Sequence, residues 1–588
     1  MKIKHLQRAF ALVAMAALAA CGGGGSSSSI NPAPVPTSVP NVLSRIVGVG
    51  DSLTAGYQSS GWLGDPTLTN PLVAGTPYAA LPIPAGQENG WWSLLYQQAQ
   101  TAYTGLPFSP LAMAGPTSPL PLIAGPGFGN EIIPANPALT GGLPFGELYQ
   151  TSCKSNDQAA YSLSTVGSTL MYPGATPLDL GIPGLTIHEE IAMHQPLVPS
   201  CAAIPGIPSA VQGVVGGESQ DFWPVLHGFT NLGSSLTPLS AAVSLKPTLA
   251  TVWLGANDLL KYAFSAGQWQ GDDTSEAQVQ SDITTIINQL KGAGAKVVVA
   301  NIPDILVAPQ FFTVQDPAVL TSQITSPQLA PFLSADPNFA CNLQANAACT
   351  IVLFASSQSP ALPITPAQAQ GLVDAVALAY NLCTPGSVAG TCSTTAPTGY
   401  LTETGMITTM EALGAVLKAN PTLLANPTAL ATALLAQLQV APYQLDPNGT
   451  GTGLGGYYFT PAWAAQVQAV NDNINNGIFA AAQATNTPLV DTKTLEDNLS
   501  WKGAIGANPS PYFMQALTIN PGKCCTLGFG GGILSFDGLH PSDTGYALIA
   551  NAFIQTINTA YGTTMTQVSP INVYNGTGYF YPDPFATH

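Results

Sequence analysis

The sequence predicts an α/β fold in three layers: a parallel sheet flanked by helices, with a large, mainly helical and loop insertion. Three observations predict it. First, an apolar, β-branched run at 46–49 ends in a Gly-Asp-Ser turn. Second, the patterns of a strand, a helix and another strand follow one another within 246–302. Third, similar patterns resume after residue 457. A strand–helix–strand order is typical of a parallel sheet with helices on its faces.

The stretch before the central unit offers a helix and a short strand. Apolar residues at helical spacing predict a helix over 90–103. The following stretch, 105–174, is rich in Pro and Gly and shows little periodicity. Residues 178–186 favour a short strand and then a Gly-Pro turn that ends at Gly184, with an ordinary loop turn as the alternative.

The clearest unit lies between 246 and 302. Residues 246–254 form an apolar run of strand length that ends in Gly255-Ala256-Asn257-Asp258, so Asn257 lies just past a strand end. Helical spacing then predicts a helix over 275–290. The run Lys-Val-Val-Val-Ala-Asn-Ile at 296–302 predicts a buried strand.

From about 303 to 457 the alternation of strands and helices stops. We interpret this region as one large insertion that could cover a site, with helices predicted at 366–382, 403–418 and 427–440. A separate domain with its own role is the alternative, because the length of the region matches a typical domain.

The α/β pattern then resumes and runs close to the end of the chain. It predicts a helix over 461–485, a short strand at 488–491 and a final amphipathic helix over 543–561. We therefore assign 44–562 to one domain, interrupted at about 303–457. Residues 563–588 form a C-terminal tail for which no structure is predicted.

Residues 1–21 have the features of a targeting segment. Basic residues precede a short apolar core, and Leu18-Ala19-Ala20-Cys21 resembles a bacterial lipobox. The resemblance implies cleavage before Cys21 and acylation of that cysteine, and an ordinary secretory signal is the alternative. Residues 22–43 are rich in Gly, Ser and Pro and predict a linker. Gly22 is not the Asp that commonly retains such proteins at the inner membrane, so the resemblance favours an exported protein anchored at the outer membrane or cell surface.

Composition narrows the classes of partner. Only 7% of the residues are charged, and the formal net charge is −17. This balance argues against a nucleic acid, or an anionic lipid, bound through a basic patch. Membrane association is therefore expected from the N-terminal lipid anchor, and the sequence leaves the oligomeric state open.

Cysteine usage agrees with export. Eight cysteines remain besides Cys21, and an exported chain meets conditions in which disulfides persist. A metal site is the rival interpretation, but the sequence has no Cys-x-x-Cys pair to support it. Proximity favours three disulfides and leaves two adjacent cysteines: Cys341 with Cys349, Cys383 with Cys392, Cys153 with Cys201, and the vicinal Cys524 and Cys525.

Ser52 occupies the turn after the first predicted strand, and the stretch that follows it is able to begin a helix. A strand-to-helix corner exposes a hydroxyl and offers unpaired backbone N–H groups, which is the environment of an acyl-transfer nucleophile. The simpler interpretation is that Asp51 and Ser52 are ordinary turn and N-cap residues. Partners elsewhere in the chain must therefore decide between the two.

His540 is the best candidate for such a partner. Asp537 precedes it by three residues in a turn, close enough to orient an imidazole. His188, His194 and His227 are rival general bases, but none has an acid placed so tightly before it at a strand end. The sequence contains no Gly-x-Ser-x-Gly nucleophile elbow, which removes the main support for a common α/β-hydrolase.

Four short blocks carry a family resemblance: Gly50-Asp51-Ser52-Leu53, the turn ending at Gly184, Gly255-Ala256-Asn257-Asp258 and Asp537-Gly538-Leu539-His540. In this order they resemble the four sequence blocks of the GDSL or SGNH hydrolase family. The second block departs from the family pattern, because Asp179 stands where an Asn is often found, and Gly115 is its competitor. The resemblance implies a flavodoxin-like, three-layer α/β fold.

The resemblance also implies a serine esterase or lipase that acts on a small acyl ester or a lipid and needs no metal or organic cofactor. Ser52 would be the nucleophile, His540 the general base and Asp537 its orienting acid. The N–H groups of Ser52 and Gly184, with the Asn257 side chain, would form the oxyanion hole. Asp258 is interpreted as a helix cap.

Two other functions stay open at this point. A carbohydrate O-deacetylase would use the same residues on a different ester, and an acyl-chain-length series compared with acetate release from acetylated polysaccharide would separate the two. A non-catalytic surface lipoprotein would use the same fold only for binding.

Overall fold

The structure is a computed structural model. It describes residues 41–58, 89–103, 176–192, 222, 225–264, 273–308, 311–313, 366–380, 385–388, 391–392, 399–440, 458–499, 533–534 and 539–574. The predicted signal peptide with Cys21, nearly all of the predicted linker, Asp537, Gly115, His194 and all cysteines except Cys392 lie outside the described residues, so the disulfide predictions stay predictions.

The described part of the chain forms ten strands and twelve α-helices. The strands are β1 Ile46–Gly50, β2 Asp179–Gly181, β3 Leu249–Trp253, β4 Lys296–Ala300, β5 Phe311–Thr313, β6 Pro385–Val388, β7 Thr391–Cys392, β8 Tyr400–Thr402, β9 Tyr458–Phe459 and β10 Leu489–Val490. The helices are α1 Trp91–Ala102, α2 Ile187–Ile191, α3 Pro238–Ser244, α4 Ala256–Phe264, α5 Glu276–Gly292, α6 Pro366–Ala379, α7 Glu403–Ala419, α8 Pro427–Leu438, α9 Pro461–Thr485, α10 Thr492–Leu499, α11 Asp543–Tyr561 and α12 Pro570–Tyr574.

Five parallel strands form the central sheet, in the spatial order β10-β4-β3-β1-β2. Renumbered along the chain, this is the 2-1-3-4-5 order of flavodoxin-like proteins. The direction of strand addition reverses between β1 and β3, and in such sheets ligands bind outside the carboxyl ends of the strands at that switch point. The predicted α/β fold class, a parallel sheet flanked by helices, is confirmed.

Apolar burial explains why these runs become central strands. All five residues of β1 and of β3 are buried, as are the last four residues of β4. Strands buried on both faces require near-continuous apolar sequence rather than alternation. The helices add aromatic residues to this core, where Trp91 of α1 stacks on Phe553 of α11 with ring centroids 4.0 Å apart.

The helices predicted between residues 90 and 561 are confirmed, and their ends have local causes. Ser275 caps α5, because its side chain accepts a hydrogen bond from the Gln278 N–H. Thr460 caps α9, which spans the predicted residues and ends at Asn486 in the left-handed conformation. Ser542 caps α11 at its start, and Gly562 ends the helix in the left-handed conformation.

The insertion contains structure that the sequence does not predict. Besides the predicted helices α6, α7 and α8, it contributes β5 and β8 to a small antiparallel sheet of order β5-β8-β9. These strands have only two or three residues each, too few for an alternating pattern to be visible. Phe311, Tyr400 and Phe459 of this sheet belong to the main hydrophobic core.

The first part of the tail also packs onto the core. Met565, Val568 and Val573 are buried, and the Asn551 side chain exchanges two hydrogen bonds with the backbone of Val568. Residues Val42–His588 form one unit by their contacts. The finer domain boundaries at 44, 303, 457 and 562 stay predictions. Among the described helices, none combines the length and the apolarity needed to span a membrane.

Candidate active site

A run of turns follows β1 and holds Ser52. The Asp51 carbonyl accepts hydrogen bonds from the Thr54 and Ala55 N–H groups, at 3.1 and 3.0 Å. The Asp51 side chain accepts one from the Leu53 N–H at 3.0 Å. The helix start predicted after Ser52 is wrong for residues 51–56, which form turns. Gly56 adopts a φ of 71°, which does not continue a right-handed helix.

Close backbone approach fixes this turn against both neighbouring strands. A Cβ atom on Gly181 of β2 would lie 2.3 Å from the Ala55 N atom. A Cβ atom on Gly50 would lie 2.7 Å from the Trp253 carbonyl oxygen of β3. Both positions therefore require glycine, and the turn that carries Ser52 is held between the ends of β2 and β3.

The structure brings Ser52 and His540 together although 488 positions separate them. The His540 Nε2 atom lies 3.0 Å from the Ser52 Oγ atom. Ser52 is 8% exposed, and the Tyr57 ring lies against the imidazole with its centroid 4.9 Å away. This is hydrogen-bond geometry between a hydroxyl and a base that could remove its proton.

Asp543, which the sequence analysis treated only as a helix start, ties the His540 segment to the Ser52 segment. It is fully buried, and its carboxylate accepts hydrogen bonds from Gln58 Nε2 at 2.6 Å and from Asn89 Nδ2 at 3.0 Å. The Tyr546 hydroxyl adds a bond to the Tyr57 carbonyl at 2.5 Å. These contacts hold the start of α11, and so His540, close to Ser52. Only the acidic position in the first helical turn could have indicated such a role.

The second block forms the turn that the sequence predicts. The Leu185 N–H donates to the Ile182 carbonyl at 3.1 Å, with Pro183 and Gly184 at the central positions and a φ of 78° at Gly184. This is a type II turn, in which the third residue requires a positive φ. Among the described residues, and apart from its two chain neighbours, no atom lies within 4 Å of the position that a Cβ on Gly184 would occupy. Gly184 therefore faces open space.

The third block bonds to the second. Asn257, in the first turn of α4, donates from Nδ2 to the Leu185 carbonyl at 3.1 Å. Since Nδ2 carries two hydrogens, a second donor remains available for another acceptor. Ser52, Gly184 and Asn257 thus follow the carboxyl ends of three adjacent strands, β1, β2 and β3, at the switch point.

Asp258 has a structural position. It is fully buried, and its Oδ2 accepts a hydrogen bond from the Ile187 N–H at the start of α2. Burial, with repulsion from Asp273, raises the pKa of Asp258 well above its usual range. Asp258 therefore satisfies an N–H group in the first turn of α2, although the N-cap residue of that helix is Thr186.

The rival histidines differ in position. His188 lies on α2, where its Nδ1 is 2.9 Å from Asp282 Oδ2. His227 lies in a turn after residue 226. The contact with the Ser52 hydroxyl described above is made by His540.

Two buried carboxyl groups next to the site have raised pKa values. Burial raises the pKa of Asp51 to about 7, although the hydrogen bond from Leu53 and the nearby His540 oppose the rise. Burial raises the pKa of Asp179 to about 8, opposed by a hydrogen bond from the Gly181 N–H. Both groups favour the protonated form because their charge is removed from water.

A flavodoxin-like parallel sheet with a serine and a histidine in contact at its switch point has the architecture of the SGNH class of α/β hydrolases. A family model described as GDSL-like Lipase/Acylhydrolase matches residues 46–347. The chain belongs to this family, which makes it a hydrolase of the acylhydrolase type. The match ends before His540, so the pairing of His540 with Ser52 rests on the geometry. Searches of curated proteins and of solved structures gave no match.

Replacing Asp179 with Asn tests how the buried carboxyl group of Asp179 changes the stability of the fold with pH. The pKa of Asp179 is near 4 in the unfolded chain and about 8 in the folded protein. Between pH 4 and pH 8 the folded protein therefore retains a proton that the unfolded chain releases. Its stabilising contribution is therefore complete below pH 4 and is lost as the pH rises through 8, by up to about 1.4 kcal/mol per pH unit. We expect Asp179→Asn to flatten the fall of the melting temperature between pH 5 and 9 and to melt higher than wild type at pH 9.

Asp472→Asn is the matched control, because Asp472 is exposed on α9. It should leave the slope of melting temperature against pH unchanged. Parallel curves for wild type and Asp179→Asn would contradict the raised pKa.

Proposed function

We propose that the chain hydrolyses carboxylic esters of acyl groups, as an esterase or lipase, with Ser52 as the nucleophile and His540 as the general base. The observation that carries the proposal is the 3.0 Å contact between Ser52 Oγ and His540 Nε2 at the switch point of the sheet. Family membership supports acyl-ester chemistry for this pair.

The first half of the reaction forms an acyl-enzyme. Ser52 Oγ attacks the ester carbonyl carbon while His540 Nε2 takes the hydroxyl proton. The tetrahedral intermediate collapses when the bond to the alcohol oxygen breaks, and His540 returns the proton to that oxygen. In the second half, water attacks the acyl-Ser52 ester with His540 again acting as base, and a carboxylic acid leaves. No step uses a metal or an organic cofactor.

Three donors are proposed for the oxyanion: the N–H groups of Ser52 and Gly184 and the Nδ2 of Asn257. Their support is the placement of all three after adjacent strand ends and the Asn257 bond to Leu185, which fixes the amide plane. Asp537 is proposed to orient the imidazole, on its spacing from His540 and the family resemblance. Asp51, whose carboxyl group interacts electrostatically with His540, is a second acid close to the imidazole.

The proposed substrate is a small acyl ester or a lipid with an apolar acyl group. The apolar composition of the chain, with 46% hydrophobic residues, supports an apolar acyl site. Phe311 of the insertion and Phe459, just after it, support it further, since both rings contact Phe264 of α4, which carries Asn257.

Loss of fluorophosphonate labelling should identify the nucleophile. The probe phosphonylates a serine only when a base activates it, so we expect labelling of wild type, none in Ser52→Ala and strongly reduced labelling in His540→Ala. Hydrolysis of p-nitrophenyl butyrate should fall by at least about 10³-fold in both variants.

Ser281→Ala and His227→Ala serve as matched controls, because Ser281 is exposed on α5 and His227 is a half-buried histidine in the turn after residue 226. Both should label and hydrolyse as wild type does. A folded wild-type protein that neither labels nor hydrolyses esters would refute the proposal in favour of a binding role.

Asn257→Ala should remove one oxyanion donor. We expect kcat for p-nitrophenyl butyrate to fall by about 10²–10³-fold with little change in KM, because the donor acts mainly in the transition state. Asn551→Ala is the control, since it also removes an amide bonded to backbone, that of Val568. It should lower the melting temperature but preserve kcat. Equal kcat values for Asn257→Ala and wild type would remove Asn257 from the mechanism.

The proposed location is the bacterial outer membrane or cell surface, with the chain exported and anchored by lipid on Cys21. The lipobox-like Leu-Ala-Ala-Cys and the Gly, Ser and Pro linker after it support this location. In cells grown with an alkyne fatty acid, wild type should acquire the label and partition into the membrane fraction. Cys21→Ser should do neither, and Cys392→Ser is the control. A label that persists in Cys21→Ser would exclude this anchor.

A further inference from the structure

A compact set of metal-binding side chains lies outside the Ser52 site. His188 on α2, Asp273 just before α5 and Asp282 on α5 place one donor atom each within 4.8 Å of one another. The His188 Nδ1 and Asp282 Oδ2 atoms are 2.9 Å apart. These three residues come from two segments of the chain, so the fold and not a local turn brings them together.

A fourth carboxyl group lies next to this set. Asp258 is fully buried, and repulsion from Asp273 contributes to its raised pKa. Its Oδ2 accepts the bond from Ile187, but its Oδ1 is buried and has no hydrogen-bond partner among the described residues. A buried carboxylate oxygen without a donor is costly unless a cation compensates it.

Other ionisable groups lie close to this set. The ammonium group of Lys261 lies 3.4 Å from Glu189, with which it pairs. Asp258, Asp273 and Asp282 thus contribute three carboxyl groups around one imidazole.

We propose that His188, Asp273 and Asp282 bind a divalent cation, with Zn²⁺ as the preferred ion. Imidazole nitrogen and carboxylate oxygen are both zinc ligands, and water completes the tetrahedral shell. Zinc ligands are about 3.3 Å apart in that geometry, so the His188–Asp282 pair needs to open by only a few tenths of an ångström. The side chains of His188 and Asp282 are 31% and 20% exposed, which leaves the ion a path from solvent.

The ion would join α2 to α5 behind the second block. α2 begins at Ile187, two residues after Leu185, whose carbonyl accepts the Asn257 bond, and Asp258 accepts a bond from the Ile187 N–H. A bound cation therefore stabilises the segment that carries Gly184, without contact with the reacting atoms. The alternative occupant is a proton: a protonated His188 would pair with the carboxylates and leave no place for a metal.

The test uses the full-length chain without an affinity tag, treated with EDTA and dialysed. Zn²⁺ is then added, and bound metal is measured by mass spectrometry after removal of free ion, with the dissociation constant from calorimetry. We expect one Zn²⁺ per chain and a higher melting temperature. In His188→Ala and Asp282→Asn the affinity should fall about tenfold or more, and the rise in melting temperature should disappear. Both side chains are partly exposed, so these variants should fold.

Glu276→Gln is the matched control, because it removes an exposed carboxylate from the same helix as Asp282. It should bind Zn²⁺ as wild type does. Absence of stoichiometric Zn²⁺ binding by the wild type would overturn the proposal. Binding of equal affinity in His188→Ala, or an equal loss in Glu276→Gln, would also overturn it.

Discussion

The central position of β1 is the constraint on which the rest of the site depends. β1 pairs with β2 on one side and with β3 on the other, both in parallel. In parallel pairing all three carboxyl ends meet at one edge of the sheet, so the residues that follow them must converge. The glycine at the end of β2 allows the turn after β1 to approach closer than any side chain would permit. Substituting that glycine would move the nucleophile and not only weaken the sheet.

Pairing within the central sheet cannot position His540, which lies far along the chain, directly before Pro541 and its single bridge to Leu534. Its position depends instead on buried polar contacts between the start of α11 and the segment after Ser52. The Asp543 carboxylate accepts two side-chain amide bonds there, both fully shielded from water. Charge-assisted bonds of this kind are strong, and removing one partner leaves a buried polar group unsatisfied. Buried polar contacts thus position His540, and close packing of the backbone positions Ser52.

Apart from the pairing of Ser52 with His540, which the family resemblance implied, the sequence predicted local structure and missed contacts between remote segments. For long periodic segments such as α9 and α11, the predicted bounds equal the observed ones. Their apolar spacing and their capping residues lie within one continuous stretch of sequence. The turn at Gly184 followed from the Pro-Gly pair alone. The helix expected after Ser52 was wrong, since close contact with β2 and a positive φ at Gly56 override local propensity there. The strands β5, β8 and β9 and the bonds of Asp543 were missed, because each exists only through partners remote in sequence.

An aromatic cluster joins the β5-β8-β9 sheet, and with it the insertion, to α4, the helix that carries Asn257. Phe264 at the end of α4 contacts Phe311 and Phe459, and Phe311 contacts Phe459, with ring centroids 5.3 to 6.0 Å apart. Tyr262, also on α4, stacks on Trp463 of α9 at 5.3 Å. Each such pair contributes about 0.5–1.5 kcal/mol beyond its burial. Moving the β5-β8-β9 sheet away from α4 would break several of these contacts and expose the rings. Separation of this small sheet from the helix that carries Asn257 is therefore unfavourable.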